Sequence, residues 1–456
     1  MNIGNVVGIS ASGLDSIGKQ LAVVSQNIAN ASTPGYSRQR QEISAMVAGG
    51  AGIGVRIGLT VRTVDVALQG EGFTATAAAA GGQVVADALA TIDAASGSPG
   101  GGADVPSLLG GLRDAYSALS NDPSNQTQQV LVVDQAGALA RGVRELGRTA
   151  DTARQAAQDT AVLDVAAANS ALRSVGRLTI QIQNATSRGD STAQLDDERD
   201  AALQQVTTLT GARVFHQPDG TVLALAGGLA LPFDAATGPL TLAPATVGTA
   251  GGPVAPRLFV NGLDVTGQFA AHQSGELGAH LALRDTILPG VQAAVDGFAQ
   301  ALAAGFRAAG LTLFCDGGGG VPSVAAGFSA AIQVAPAVQA APRQVRDGAG
   351  PPGPAGASGL IVAVLSGALK TGAGTLASRA TELVVGIAAQ SSQAASRLKT
   401  DQGVATSLAT KLASTTGVSV DAELANLVKL QAAYTANARV LSATSTLWTT
   451  LFEAVR

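Results

Sequence analysis

Residues 3–36 read IGNVVGISASGLDSIGKQLAVVSQNIANASTPGY, and side chains recur on one face at alternating steps of four and three residues. The positions are Ile3, Val7, Ser10, Leu14, Ile17, Leu21, Val24 and Ile28, with Ser10 as the polar interruption. This spacing predicts a long helix with a heptad seam. The helix should end near Thr33-Pro34-Gly35, because a residue before proline disfavours the helical conformation.

A second heptad seam lies at the other end of the chain. Ser419 and Asp421 can cap the start of this predicted helix. An earlier stretch, from Ile387 to Leu412, keeps the same step and ends before Gly417. The C-terminal seam positions are Val420, Leu424, Leu427, Gln431, Tyr434, Ala438, Leu441, Ser445, Trp448, Phe452 and Val455.

The pattern between the two ends changes from helical to strand-like and back. Residues 105–209 predict a helical block. Strand-like runs then flank Pro218-Asp219-Gly220 and Asn261-Gly262, which are typical turn sequences. Helical character returns over residues 276–307, and residues 348–359 have the composition of a linker.

These patterns predict a mainly α fold with a β insert. The N- and C-terminal helices pair as a coiled coil, long helices form a bundle domain, and a smaller outer domain is β-rich. The predicted boundaries are 1–75 for the N-terminal helix and following segment, 76–210 and 276–347 for the two parts of the bundle, 211–275 for the β-rich insert, 348–376 for the Gly/Pro-rich linker region and 377–456 for the C-terminal helices.

Charge and cysteine content exclude several classes of protein. The 28 basic and 32 acidic residues give a net charge of −4, which offers no basic excess for nucleic acid or an anionic membrane. The uncharged run 317–342 contains prolines, so we expect no membrane insertion. The first residues lack the basic lead and apolar core of a signal peptide, so we expect no cleaved leader.

Three groups of residues could carry chemistry, and each has a plainer interpretation. His272, Glu276 and His280 could present two imidazoles and a carboxylate to zinc, but glycines within that span favour loop or surface histidines. The acidic cluster 196–200 contains an arginine, which favours internal ion pairing. Cys315 has no base beside it in the sequence, so we expect a packed thiol. We predict no enzymatic activity, no cofactor and no metal.

The terminal heptads gain little stability until their apolar faces are covered. We therefore expect the two ends to be marginally stable alone. Two arrangements remain open, a coiled-coil stalk within one molecule and packing against neighbouring subunits. The second is favoured by near-neutral ends, since residues 401–456 carry four basic and four acidic groups.

The two terminal motifs resemble those of bacterial flagellar axial proteins. Residues 27–30 and 33–39 are similar to the N-terminal signature of that family, and the ending Tyr-Ser-Arg-Gln resembles the hook-associated proteins of the hook–filament junction. Residues 418–427 and 430–440 agree at the C-terminus, as does the internal stretch 195–200. The family motif residues are Asn27, Asn30, Pro34, Gly35, Tyr36, Ser37, Arg38, Gln39, Asn437 and Arg439.

The resemblance implies a structural protein that joins hook to filament and is required for filament assembly and motility. It implies a homo-oligomeric ring with the hook protein, a second junction protein and a cytosolic export chaperone on the C-terminal helix as partners. It also implies type III export to the extracellular flagellum. A rod- or hook-type subunit is the alternative. The assembly seam would be Ile3, Val7, Leu14, Ile17, Leu21, Val24, Ile28, Leu424, Leu427, Gln431, Tyr434, Ala438, Leu441, Trp448 and Phe452.

Two features depart from the resemblance. Residues 444–450 read TSTLWTT, where the family usually places acidic residues. The region between the β insert and the C-terminal helices is short, so an additional outer domain of larger relatives could be absent.

Overall fold

The computed structural model describes residues 3–48, 50–98, 100–217, 220–233, 238–247 and 255–454. Helices dominate, as predicted, and account for 67% of the chain. In chain order they are α1 Ile3–Ala29, α2 Val66–Ser96, α3 Val105–Asn121, α4 Gln126–Arg188, α5 Ala193–Thr210, α6 Thr266–His272, α7 Gly275–Ala282, α8 Leu288–Ala308, α9 Phe328–Ala331, α10 Pro336–Ala340, α11 Gln344–Asp347, α12 Gly359–Ser366, α13 Leu376–Thr416 and α14 Val420–Ala454, with a π-helical turn at Leu283–Ile287.

The strands form small antiparallel sheets. Their order is β1 paired with β2, β3-β4-β5, β6-β7-β8, and β9 paired with β10. Their ranges are β1 Gln39–Ala48, β2 Ala51–Arg62, β3 Arg213–His216, β4 Val222–Ala226, β5 Leu229–Leu231, β6 Leu240–Thr241, β7 Phe259–Val260, β8 Leu263–Asp264, β9 Phe314–Cys315 and β10 Gln333–Val334.

The helical body is organised around α4, which has 63 residues. Asn125 starts α4 by accepting hydrogen bonds from the backbone of Thr127 and Gln128, and Gly189 ends it in the left-handed conformation. The first half of α4 shares one apolar core with α3, α8, α12 and α13. The second half shares another core with α5, α7 and the strands β4 to β7.

The β insert folds around the turns expected from the sequence. Asn261 and Gly262 join β7 to β8 with φ angles of 48° and 81°, the backbone that an Asn-Gly hairpin turn requires. Strands β3 and β4 pair on either side of the Pro218-Asp219-Gly220 turn, of which Pro218 and Asp219 lie outside the described residues. The Gly/Pro-rich region contains α12, whose Ile361 is fully buried in the bundle core.

Helices α2 and α13 pack against each other. The heptad stretch predicted in α13 is partly covered, since Ile387 is buried and Leu398, Leu408 and Leu412 are half-buried. Leu398 lies beside Gly82 of α2. By length and composition α2 could cross a membrane. It also contacts α4, α5 and α7, so its surroundings are those of a core helix.

The hairpin formed by β1 and β2 was not predicted. It lies along α1, and α1 in turn contacts α14. Val55 donates its backbone N–H to Ser12 Oγ at 3.2 Å, which ties one strand edge to the helix. The chain termini and this hairpin therefore form one unit, which we call the terminal unit (residues 3–62 and 417–454).

Candidate assembly interface at the chain termini

The two terminal helices share a narrow apolar contact, which confirms that they pair. Ile17 and Val24 of α1 are buried against Leu430 of α14. Asn437 of α14 lies against Gly13 of α1, where an added Cβ would stand 3.4 Å from the Asn437 Oδ1. The half-buried side chains around this small core are Leu21, Ile28, Leu427 and Ala433.

The predicted N-terminal seam faces inward. Besides Ile17 and Val24, its half-buried members are Val7, Leu14, Leu21 and Ile28. The polar interruption, Ser10, is also buried, at 3% exposure. The side chains of Ile3 and Phe452 lie outside the described part of the structure.

The predicted C-terminal seam meets α1 only in part. Leu427, Ala438 and Leu441 are half-buried, whereas its exposed members are Leu424, Gln431, Tyr434 and Trp448. The most buried residues of α14 are Glu423, Leu430 and Thr444. Helix α14 thus carries apolar residues on two faces, and heptad spacing alone does not decide which face α1 covers. The seam as an assembly surface remains a prediction.

Asn27 joins helix α1 to the base of the hairpin. Its Nδ2 donates to the Gln39 carbonyl at 2.9 Å, and its Oδ1 accepts from the Gln39 N–H at 3.0 Å and the Tyr36 hydroxyl at 2.8 Å. Asn27 is 1% exposed, so these bonds are shielded from water. Burial, together with Asp197 and Glu423, raises the pKa of Tyr36 to about 12, and the hydroxyl stays protonated at neutral pH.

The turn between α1 and β1 holds the next motif residues. Asn30 donates from Nδ2 to the Gln26 carbonyl at 3.0 Å and accepts from the Thr33 hydroxyl at 3.3 Å. Gly35 follows the exposed Pro34 with φ at +79°, which favours glycine. These residues end the helix and redirect the chain into the hairpin.

Arg38 connects the N-terminal turn to the C-terminal helices. Its Nε donates to Glu423 Oε1 at 2.6 Å, and its backbone N–H donates to the Thr416 carbonyl at 2.9 Å. Its own carbonyl accepts from the Thr63 N–H at 2.8 Å. Glu423 is 1% exposed, and its Oε2 has no hydrogen-bond partner among the described residues.

Two aspartates of α5 anchor the terminal unit to the body. Asp197 accepts a hydrogen bond from the Ser37 N–H at 3.2 Å and another from Arg62 Nη1 at 3.1 Å. Asp200 also accepts from Arg62 Nη1, at 2.5 Å, and from Gln69 Nε2 at 2.8 Å. Burial raises the pKa of Asp197 despite these donors. For Asp200, burial is outweighed by the neighbouring imidazole of His216 and by Arg62, so its pKa lies below the usual value.

The acidic cluster is paired partly as predicted. Arg199 Nη2 lies 2.9 Å from Asp196 Oδ1, which confirms the internal pair. The role of Arg62 was missed, because 135 residues separate it from Asp197. The usable signal was the alternation of Ile53, Val55, Ile57, Leu59 and Val61, which is typical of a strand that ends at Arg62.

The residues considered for catalysis have separate surroundings. His272 Nδ1 lies 2.7 Å from the Gln268 carbonyl, and His280 Nδ1 lies 2.7 Å from Asp164 Oδ2. Within the described ranges, no three His, Cys, Asp or Glu side chains are grouped to hold a metal ion. Cys315 is buried, and burial raises the pKa of its thiol.

Three family models match the chain. Residues 89–314 match the flagellar hook-associated protein FlgK helical domain. Residues 413–453 match the flagellar basal body rod FlgEFG protein C-terminal family, and residues 9–36 match the flagella basal body rod protein family. The three matches together cover more than half of the sequence. They lie on the N-terminal helix α1 and its following turn, on the body, and on the C-terminal helix α14.

Solved structures also match the chain, and one of them is a flagellar protein. The flagellar hook junction protein FlgK from Burkholderia pseudomallei matches at 21% identity with a TM-score of 0.43. The match covers 55% of this chain and 45% of that protein. No curated protein matches the sequence. The match to the hook-associated helical domain, flanked by the two rod-type matches, shows that the chain belongs to the flagellar hook-associated protein FlgK family, a family of structural components of the flagellum.

Proposed function

We propose that this chain forms the junction between the flagellar hook and filament. The observation that carries the proposal is the set of exposed apolar side chains on α14. Leu424 and Tyr434 are 47% and 45% exposed, and Val428, Val440 and Leu447 are exposed elsewhere around the same helix. Clustered exposed apolar side chains are typical of a protein–protein contact. Neighbouring copies in a ring would cover it.

The small core of the terminal unit supports export before assembly. Only three apolar residues, Ile17, Val24 and Leu430, form its buried cluster among the described residues, whereas the body has two large cores. A pair of helices with so little buried surface is marginally stable. The flagellar type III apparatus would export the chain unfolded, and a cytosolic chaperone would hold α14 until then.

The proposed partners follow from a position at the hook tip. The ring would contact the hook protein on one side and a second junction protein, next to the filament, on the other. A protein at this position would be part of the extracellular flagellum. A rod- or hook-type subunit would share the terminal motifs, but the match of residues 89–314 to the hook-associated helical domain favours the junction.

Deleting residues 424–456 tests the proposal in a flagellated strain whose junction protein this chain replaces. We expect intact hooks, no filaments and filament subunits in the medium, as seen by electron microscopy and immunoblotting. A milder variant, Leu424→Ser with Tyr434→Ser, should block filaments without changing monomer stability. The matched control Leu430→Ser removes a buried side chain, so it should lower the stability of the terminal unit in the monomer. Normal filaments in the deletion strain would contradict the proposal.

A further inference from the structure

A polar contact lies beside the first core of the body, where α4 packs against α8 and α9. The half-buried Asp151 of α4 accepts a hydrogen bond from Nε2 of Gln292 on α8. One turn earlier on α4, a Cβ added to Gly147 would stand 2.5 Å from Ser329 Oγ of α9, so α4 and α9 approach closely. Gln292 is 1% exposed, and its carboxamide is therefore shielded from water.

The carbonyl oxygen of this carboxamide has no donor. Gln292 Oε1 is buried and accepts no hydrogen bond among the described residues, which is costly for the folded chain. Because Oε1 and Nε2 share one carbon atom, the unpartnered oxygen lies beside the carboxyl group of Asp151 that Nε2 contacts. A carboxylate only accepts hydrogen bonds, whereas a protonated carboxyl group also has one O–H donor. A proton on Asp151 would therefore supply the donor that Oε1 lacks.

A second carboxyl group near the contact already has its donors. Asp296 lies one turn after Gln292 on α8 and is 1% exposed. It accepts from the backbone N–H groups of Gly327 at 2.7 Å and Ser329 at 2.9 Å, and from the Ser329 hydroxyl at 2.5 Å. Three donors suit a carboxylate anion. Of the two aspartates, Asp151 is therefore the one that gains from a proton.

The charges around Asp151 favour its protonated form. Burial and the negative charge of Asp296 raise the pKa of Asp151, and the positive charge of Arg154 on the same helix opposes them. Arg154 Nε donates to the carbonyl of Arg284 at 2.8 Å, so part of its guanidinium group is directed there. Helix α9 has no charged residue, and the other charged residue of α8 is Arg307, at its far end.

We propose that Asp151 and Gln292 form a proton-dependent clamp between α4 and α8. In the clamp, Gln292 Nε2 donates to Asp151 Oδ1, and a hydroxyl at Asp151 Oδ2 donates to Gln292 Oε1. Ionisation removes the second hydrogen bond and places a negative charge near Asp296. Because the pKa of Asp151 is raised in the folded chain, the stabilisation is complete below the ordinary value of 3.8 and is lost as the pH rises through the folded value. The clamp lies in the body and does not depend on the proposed function.

Asp151→Asn tests the clamp, because the asparagine amide can make both hydrogen bonds at every pH. Circular dichroism gives the denaturant midpoints of the full chain between about pH 4 and pH 8. The wild-type midpoint should fall with rising pH relative to that of Asp151→Asn, so the gap between the two midpoints should widen. The control Asp159→Asn changes an exposed aspartate of α4 that accepts from Gln155, and it should follow the wild type. A gap that is independent of pH would overturn the proposal.

Gln292→Met separates the second hydrogen bond from the removal of a charge. Methionine is of similar length but has no donor and only a weak acceptor. In a Gln292→Met background, Asp151→Asn should lose most of its advantage at the alkaline end of the range, because its amide has no acceptor. An undiminished advantage would mean that Asp151→Asn only relieves repulsion from Asp296, and the clamp would be wrong.

Carbon NMR of labelled aspartates follows the proton directly and needs no variant of Asp151. In the wild type, one aspartate should bind its proton at a higher pH than the exposed aspartates do, and the absence of such an aspartate would overturn the proposal. Gln292→Met should lower that titration midpoint, because the protonated form loses two hydrogen bonds and the ionised form loses one. A midpoint that stays or rises in Gln292→Met would mean that Gln292 donates to the carboxylate alone, which also overturns the clamp.

Discussion

Arg38 and Glu423 lie 385 residues apart in the sequence, and their side chains meet at 2.6 Å. The contact is asymmetric, since the Glu423 side chain is 1% exposed and that of Arg38 is 41% exposed. Removing either partner therefore leaves the other in a different environment. The carboxylate would stay buried and unpaired, whereas the guanidinium could turn to water.

We expect Arg38→Ala to destabilise the start of α14 more than Glu423→Gln does. The first variant leaves a buried charge and should cost about 3 kcal/mol. The second should cost about 1 kcal/mol, because Arg38 can be solvated. Native-state hydrogen exchange of the α14 amides measures both opening free energies. Equal losses would mean that Glu423 reaches water when Arg38 is absent.

Asn27→Ala should loosen the base of the hairpin. It removes three hydrogen bonds and leaves the backbone N–H and carbonyl of Gln39 without partners in a buried site. The expected cost is about 2–3 kcal/mol in opening free energy at β1, measured by hydrogen exchange. Asn30→Ala is the control, because the Asn30 side chain bonds only within an exposed turn. Its effect should stay below about 1 kcal/mol.

Stability should fall at alkaline pH because of Tyr36. Its pKa is about 12 in the folded chain against an ordinary value of 10.0, so the folded state holds the proton more tightly. The resulting stabilisation is complete below pH 10 and is lost as the pH rises towards about 12. The melting temperature of the wild type should therefore fall more steeply with pH in this window than the melting temperature of Tyr36→Phe. The ultraviolet titration difference between the two proteins should show a tyrosinate step near pH 12. Parallel pH profiles would refute the shift.

Adjacent glycines in α2 should respond oppositely to alanine. A Cβ on Gly81 would lie 2.6 Å from the Gln273 carbonyl oxygen and 2.9 Å from that of Gly275, so Gly81→Ala should destabilise by about 1–3 kcal/mol. A Cβ on Gly82 would make ordinary contacts at 3.5 Å or more. Gly82→Ala should stabilise by about 0.5–1 kcal/mol through helix propensity. Denaturant melts compare them, and loss of stability in both would contradict the packing.

The helices and tight turns were accessible from local sequence patterns. Heptad spacing predicted the helices α1, α13 and α14, although only part of the α14 seam is buried against α1. Asn261-Gly262 predicted its hairpin, because only a few residues accept the positive φ angles of that turn. These features depend on neighbours within a few residues.

The joint between the terminal unit and the body could not be predicted in the same way. Arg62 meets Asp197, and Arg38 meets Glu423, only because α2, α4 and α13 carry distant parts of the chain back to one place. Composition offered charged residues but no pairing, since any arginine could have matched any carboxylate. The face that α14 turns to α1 depends on the same tertiary geometry.

Because α1 and α14 come from opposite ends of the sequence, the terminal unit can form only in a molecule that contains both helices. A molecule whose synthesis stops before α14 retains every residue of the two large cores, but it lacks Leu430 to cover Ile17 and Val24 and lacks Glu423 to hold Arg38. Its first helix stays uncovered and its hairpin is poorly anchored. In the proposed junction, prematurely terminated molecules would therefore lack the paired ends that contact neighbouring copies.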